Sequence, residues 1–358
     1  MKKLLRGFTK VLTLLIPDLE WLIIFRNENK KAIRKESIKD RFWAFRNGFY
    51  VETVKLCKIN KNNVHEYLSD KSYLRLHPIN REYSKIIDNK LYLPFLLKDY
   101  PELVPQYYYV IDRGRSIILD SNLSPSKDLL QLCKEKHILA LKPCSATMGE
   151  GFYRLEWRND SFLLNNKQIE ISELHSFIKS LDNYLVTEYI CQHKYAAEIN
   201  QDSVNTIRLI CARDGINNQF FIPVSFHRFG TKGRFVDNIG ANGGAIASYI
   251  DIPTGMIKDL GLIKEKGKVE RIENIIKHPD SQMQISDTII PHWSETIEKV
   301  LVLLNHLSFL KYMGMDIVIT ENGFKIFEMN SLPTLHGLQV EKGIFKAERL
   351  KLFFNGQK

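Results

Sequence analysis

Residues 314–333 read GMDIVITENGFKIFEMNSLP, and the reading of this stretch decides the fold. Two apolar runs flank Glu321-Asn322-Gly323, the pattern of an antiparallel hairpin. A three-residue loop with Gly323 in the left-handed conformation sets residue 320 opposite 324, so that paired residue numbers sum to 644. Asp316 then lies opposite Glu328, Cβ atoms about 5 Å apart, and Asn330 shares their face of the pleat. Opposed carboxylates repel and invite a cation; carboxylate, amide and phosphate oxygens are the donors that Mg²⁺ accepts. A two-residue loop over Asn322-Gly323 would raise the sum to 645 and turn the carboxylates to opposite faces. A solvated hairpin with ordinary surface acids is the competing account.

Upstream, LKPCSATMGEGFYRL (141–155) sets Lys142 on an apolar strand before a loop of small residues containing Gly149 and Gly151. Such a loop lets backbone N–H groups approach phosphate oxygens, and a buried lysine bonds an anion. A plain glycine-containing hairpin has the same appearance. Neither G-x-x-x-x-G-K-[ST] nor G-x-G-x-x-G occurs, and GLIKEKGKV (261–269) only mimics the former. Lys90, in IIDNKLYL, reads equally as a surface lysine.

Around these stretches the pattern alternates. YYYVI, HILALKP, GFYRLEWR, SFLL, YLVTEYI, NTIRLICAR and FFIPVSFHRF read as strands, EISELHSFIKSL and residues 291–311 as helices, and 27–90 as mostly helical. The glycine-rich NIGANGGA lies between. An α+β chain with substantial antiparallel sheet follows, not a pure Rossmann alternation. The expected divisions are a helical N-terminal extension over 1–80, an N-terminal part over 81–135, a small lid subdomain over 136–190 and a metal-bearing subdomain over 191–358.

Composition sets the outer bounds. With 358 residues, 44% hydrophobic and 26% charged, the chain can bury a sizeable core, which excludes disordered and disulfide-scaffold classes. Five scattered cysteines without a Cys-x-x-Cys pair argue for a reducing compartment and against structural zinc. Residues 1–46 carry twelve Lys/Arg and five Asp/Glu, a net +7 of the total +10. Lys10, Asp18 and Glu20 interrupt any signal core or membrane span. The basic start, interleaved with Trp21, Phe25, Trp43 and Phe45, suits an anionic membrane surface or a helix packed on the body. The remaining +3 is too little for a nucleic-acid stripe. Cytoplasmic residence, peripheral on the inner membrane face, is expected.

Taken in order, Lys90, Lys142 before its small-residue loop, Thr187-Glu188-Tyr189-Ile190, NTIRL and Asp316…Glu328-Met329-Asn330 resemble the ATP-grasp superfamily. VTEYICQH, DSVNTIRLI and FEMNSLPTLHGLQ resemble more narrowly its sugar-transfer-associated family of bacterial surface-polysaccharide biosynthesis, over roughly residues 80–345. The resemblance implies two α+β subdomains clasping ATP and a ligase joining carboxylate to amine through an acyl phosphate. It assigns Lys90 and Lys142 to the phosphates, Ser145 to Gly151 (Gly149 included) to a mobile loop over them, and Glu188, Tyr189 and Ile190 to the adenine, with Glu198 on the ribose. Asp316, Glu328 and Asn330 would hold two Mg²⁺ ions, with Mn²⁺ as a substitute. Arg208 would steady the transferred phosphoryl group; a strand-surface salt bridge is its plainer role. Asn205, Asn238, Gly243, Gly244 and His336 fall to the substrate side. The family context implies an amino acid and a uronic-acid-containing glycan or its precursor. A sugar kinase and a noncatalytic nucleotide-binding protein at the membrane are the alternatives.

Overall fold

The computed structural model describes residues 19–28, 36–145, 149–237, 245–265 and 268–357. They form two compact units, one from residues up to 77 together with 334 onward, the other from 78–333.

In the first unit, helices α1 (Leu19–Glu28) and α2 (Ile38–Arg46) pack through aromatic side chains. The Trp21 ring stacks on Tyr50 at 5.4 Å, and its Nε1–H donates to the Phe45 carbonyl at 3.1 Å. Phe25 meets Phe45 edge-on. Trp21 and Phe25 are therefore core residues of this unit rather than an outward face. Gln339 returns from the C-terminal stretch, accepting from Leu68 N–H and donating to its carbonyl.

The second unit carries two seven-stranded sheets, every pairing antiparallel. The first contains β1 (Tyr107–Asp112), β2 (Arg115–Ile118), β3 (Ile138–Pro143), β4 (Tyr153–Arg158), β5 (Ser161–Leu164), β6 (Lys167–Ile169) and β7 (Tyr184–Glu188), in the order β2-β1-β7-β3-β4-β5-β6. Its core joins Leu139, Leu141 and Val186 to Leu132 of helix α3 (Leu129–Lys136) and Leu174 of helix α4 (Ile171–Ser180). A reciprocal Asp128–Gln131 capping box starts α3 and satisfies its first free N–H groups.

The second sheet contains β8 (Ile207–Arg213), β9 (Phe220–Gly230), β10 (Ala245–Asp251), β11 (Met256–Glu265), β12 (Lys268–Ile272), β13 (Tyr312–Thr320) and β14 (Gly323–Asn330), ordered β12-β11-β10-β9-β8-β13-β14. Helix α5 (Trp293–His306) lays the stripe Trp293, Val300, Leu303 and Leu304 into the same core as Met313, Met315 and Ile317. The α+β architecture agrees with the sequence pattern, although β2, β6 and the three strands between 245 and 272 are additions to it.

The deciding hairpin reaches its expected pairing by another route. Thr320 pairs with Gly323, so the loop has two residues, Glu321-Asn322, and the ladder starts at a sum of 643. Between Asp316 and Ile317 the register shifts by one, and Asp316↔Glu328 and Gly314↔Asn330 then sum to 644. The extra residue is Phe327, a β-bulge that switches the phase of β14. Phe324 and Ile326 face the core before it and Met329 after it. The expected three-residue loop is thus corrected: Gly323 opens the strand at φ +134°, and the bulge rather than the turn aligns the carboxylates.

A short connection fixes the ends of this unit. Asp88 accepts from both Ser331 N–H and Ser331 Oγ at 2.7 Å. Met315→Ala should destabilise the protein by about 2–5 kcal/mol, because it empties a fully buried site on β13; a urea-unfolding midpoint measures the loss, and a change below about 1 kcal/mol would show that β13 is not central to the core.

Candidate active site

Side chains from both sheets of the second unit line one cleft of about 870 Å³, its open mouth included. Alternation along the strands chooses them. On β8, Arg208 faces Asp316 of β13 across the ladder, and Asp316 faces Glu328 of β14. One step along, Arg228 of β9 donates its N–H to the Thr206 carbonyl at 2.8 Å. Arg228, Thr206, Arg208, Asp316 and Glu328 therefore form a file across four neighbouring chain segments.

Asp316 is the centre of that file. Arg208 grips it with two donors, Nε to Oδ1 and Nη2 to Oδ2 (2.9 Å), and Arg228 Nη2 adds a third at 2.9 Å. Burial alone would raise its carboxyl, but the two guanidiniums hold it below the usual carboxylate range. Gly314 makes room: a Cβ there would come within 3.1 Å of Arg208 Cδ. Arg228 also donates to Thr206 Oγ1 and stands 3.7 Å from Asp237.

Two lysines complete the cationic wall. Lys90 begins a short turn, Lys90–Tyr92; its N–H donates to the Cys144 carbonyl at 2.8 Å, and Tyr107 Oη donates to the Lys90 carbonyl at 3.0 Å. This places Lys90 Nζ 3.2 Å from Glu328 Oε2. Lys142 Nζ is buried without a hydrogen-bond partner among the described residues, 4.4 Å from the centre of the Phe327 ring that the bulge turns into the cleft. Burial, then the neighbouring Lys90 charge, pulls its pKa down to about 7.

The remaining expected residues divide clearly. Gly149, Glu188, Tyr189, Ile190 and Asn330 line the cleft. Glu188 Oε2 accepts from Lys325 Nζ at 2.8 Å and Gln106 N–H at 3.0 Å, which leaves its main chain at the strand end. Ser145 is exposed beside the undescribed 146–148, and Gly151 packs toward Tyr184 and Pro143. Glu198 is exposed on the helix Lys194–Ile199, outside the cleft lining. Asn205 is buried in a loop network instead: its amide donates to the Ala196 and Asn200 carbonyls, and its oxygen accepts from Asn200, Ser203 and Gly230. His336 belongs to the first unit, where burial lowers its pKa to about 4. Asn238, Gly243 and Gly244 lie outside the described residues. Arg228, Thr206, Asp237 and Phe327 were not expected from the sequence.

Two carboxylates and an amide suit a hard cation, and among the described residues Asn330 Nδ2 is buried without a hydrogen bond. Among the described residues no three His, Cys, Asp or Glu side chains gather around one point. A cation here would therefore rely on Asp316, Glu328, Asn330 and oxygens of a ligand.

A model of sugar-transfer associated ATP-grasp proteins matches residues 70–352, a span that contains the whole cleft. The chain belongs to this ATP-grasp family. Its fold is accordingly the α+β ATP-grasp fold. Among solved structures it is similar to a D-alanine–D-alanine ligase from Bacillus anthracis, with 13% identity, 76% of this chain and 66% of that chain covered, and a TM-score of 0.37. The D-alanyl-alanine synthetase A of Vibrio cholerae gives 10%, 76%, 65% and 0.43. An ADP complex of N5-carboxyaminoimidazole ribonucleotide synthetase gives 10%, 73%, 52% and 0.39. The chain thus spans about two thirds or less of these proteins, and the likeness adds nothing to the family match. No curated protein matches it.

The state of Lys142 has a measurable consequence. Below about pH 7 the lysine is charged whether folded or unfolded, and its burial is then fully unfavourable. Between there and the ordinary value of 10.5 the unfolded chain binds the extra proton, so this penalty fades as pH rises. Lys142→Met should therefore raise the unfolding temperature most below pH 7, with the gain shrinking toward pH 10.5; a gain independent of pH would contradict the assignment.

Proposed function

We propose that this protein is an ATP-dependent carboxylate–amine ligase, joining an amino acid to a uronic-acid-containing surface glycan or its precursor through an acyl phosphate. The observation that carries the reading is the convergence of Lys90, Lys142, Arg208 and Arg228 on the Asp316–Glu328 pair in one cleft. That wall is cationic enough to accept a polyphosphate and acidic enough to share a divalent ion with it.

In this reading Glu188 to Ile190 hold the adenine; Glu198, outside the cleft lining, takes no part. Lys90 and Lys142 hold the phosphates, and Lys142 regains its proton as an anion replaces the missing partner. Asp316, Glu328 and Asn330 hold Mg²⁺, which would neutralise charge on the phosphate oxygens. Arg208, released in part from Asp316, steadies the transferred phosphoryl group while the substrate carboxylate attacks. Residues 144–151, of which 146–148 lie outside the described residues, would exclude water from the acyl phosphate. Most of the acceleration comes from positioning and electrostatics, because no side-chain nucleophile is required.

ADP release measured against amino-acid and uronic-acid panels should rise only when one of each is present, with amide and phosphate as the other products. ADP with a phosphorylated sugar would replace the ligase reading by a kinase. Glu328→Gln should reduce turnover at least about 10²-fold with the fold intact, since it removes a charge from the cation site.

The basic N-terminal segment supports a peripheral position on the cytoplasmic membrane face. No described helix is long and apolar enough to cross a membrane. Leu22 and Ile23 on α1 and Ile38 and Phe42 on α2 are exposed, near Arg26, Lys39 and Arg46. The full chain should sediment with anionic vesicles at low salt and less at high salt, each basic residue contributing about 1 kcal/mol. Sedimentation unchanged by replacing Ile38 and Phe42 with aspartate would remove these side chains from the contact.

A further inference from the structure

Asp237 lines the same cleft, only 6% exposed, and its two oxygens have different surroundings. Oδ2 accepts from the N–H and the Oγ1–H of Thr206, both at 2.6 Å, and stands 3.7 Å from Arg228 Nε. Among the described residues none donates a hydrogen bond to Oδ1. The carboxylate is therefore fixed in orientation by one oxygen and open at the other. The same Arg228 guanidinium links it to Asp316, to which Arg228 Nη2 donates at 2.9 Å.

We infer that Asp237 is the acceptor-side carboxylate of the reaction, holding the incoming amine as its ammonium ion and removing a proton to free the nitrogen lone pair. This rests on the ligase reading. ATP and the substrate carboxylate are anions, which a buried carboxylate repels; the amine, an ammonium ion at neutral pH, is the organic substrate that it attracts. Burial also raises the Asp237 carboxyl, against the lowering influence of Arg228 and Thr206, and this strengthens it as a base. One proton passes from the ammonium nitrogen to Oδ1. The nitrogen pair forms a C–N bond to the acyl carbon, and the C–O bond to phosphate breaks with its pair leaving on phosphate. The second nitrogen proton goes to the departing phosphate, giving the amide.

The test uses the full chain with ATP, Mg²⁺ and the uronic-acid panel, offering either the amino-acid panel or hydroxylamine, which is largely uncharged at neutral pH and needs neither ammonium binding nor a base. Asp237→Asn should lower the ratio of amide to hydroxamate about 10²-fold or more, and Asp237→Glu should fall between it and the parent. The glutamate variant carries the comparison alone if the asparagine variant does not fold, as thermal unfolding will reveal. An unchanged ratio, or equal loss of both products, overturns the role of Asp237 and leaves the ligase reading standing. Absence of hydroxamate from the parent protein across the panel overturns the ligase reading and this role with it.

Discussion

The site depends on one interaction: a buried aspartate kept ionised by two arginines from adjacent strands. Asp316 would be unstable as a lone buried charge; Arg208 serves both of its oxygens and Arg228 adds a second donor to Oδ2. Three donors satisfy it together. Because those donors sit on β8 and β9, the charge also fixes where β13 lies along them. Specificity of register and of chemistry is thus set by the same bonds. Gly314 eases this reach, since a Cβ there would crowd Arg208 Cδ at 3.1 Å, so a residue without functional groups belongs to the electrostatic design.

Beside this pair, the bulge at Phe327 performs two tasks. It moves Glu328 and Asn330 onto the face of Asp316, and it turns an aromatic ring toward Lys142. A regular ladder beginning at Thr320↔Gly323 would have sent Glu328 into the core. The lysine accordingly lies among apolar and aromatic groups and close to Lys90, poised to gain a proton when an anion enters. Strands hold the carboxylates, while Cys144 and Ser145 follow the end of β3.

The sequence made the face of the hairpin legible but not its route. Acidic residues at 316 and 328 with an amide at 330 imply one face; the apolar phase slip from Phe324 and Ile326 to Met329 was the available sign of a bulge. Lys90, Lys142, Glu188 and Arg208 were visible as an ordered pattern along the chain, and the structure brings them to one cleft. Arg228 and Thr206 were not visible, because nothing local distinguishes a strand arginine facing a cleft from one facing solvent; only the β8–β9 register does so. Asp237 was obscured by the glycine-rich run that follows it. Asn205 misled because a buried amide that closes a loop has the same sequence appearance as one that binds a ligand. Strands β11 and β12 went unread for a related reason: their broken alternation, Lys and Glu among apolar residues, suits a sheet end as well as a loop. The N-terminal aromatics looked like a surface stripe, yet Trp21 finds its hydrogen bond and its stacking partner within the first unit.

The Asp88–Ser331 clasp has a bearing on how the chain is made. It joins the beginning and end of a continuous segment that holds all fourteen strands. The first unit, by contrast, is discontinuous and needs Gln339 to meet Leu68. The early helices pack on one another through Trp21, Phe25 and Phe45, but Leu68 meets Gln339 only after the sheet-bearing segment has emerged. The sheet-bearing segment is in this sense an insert in the sequence of the other unit, with its own ends held together.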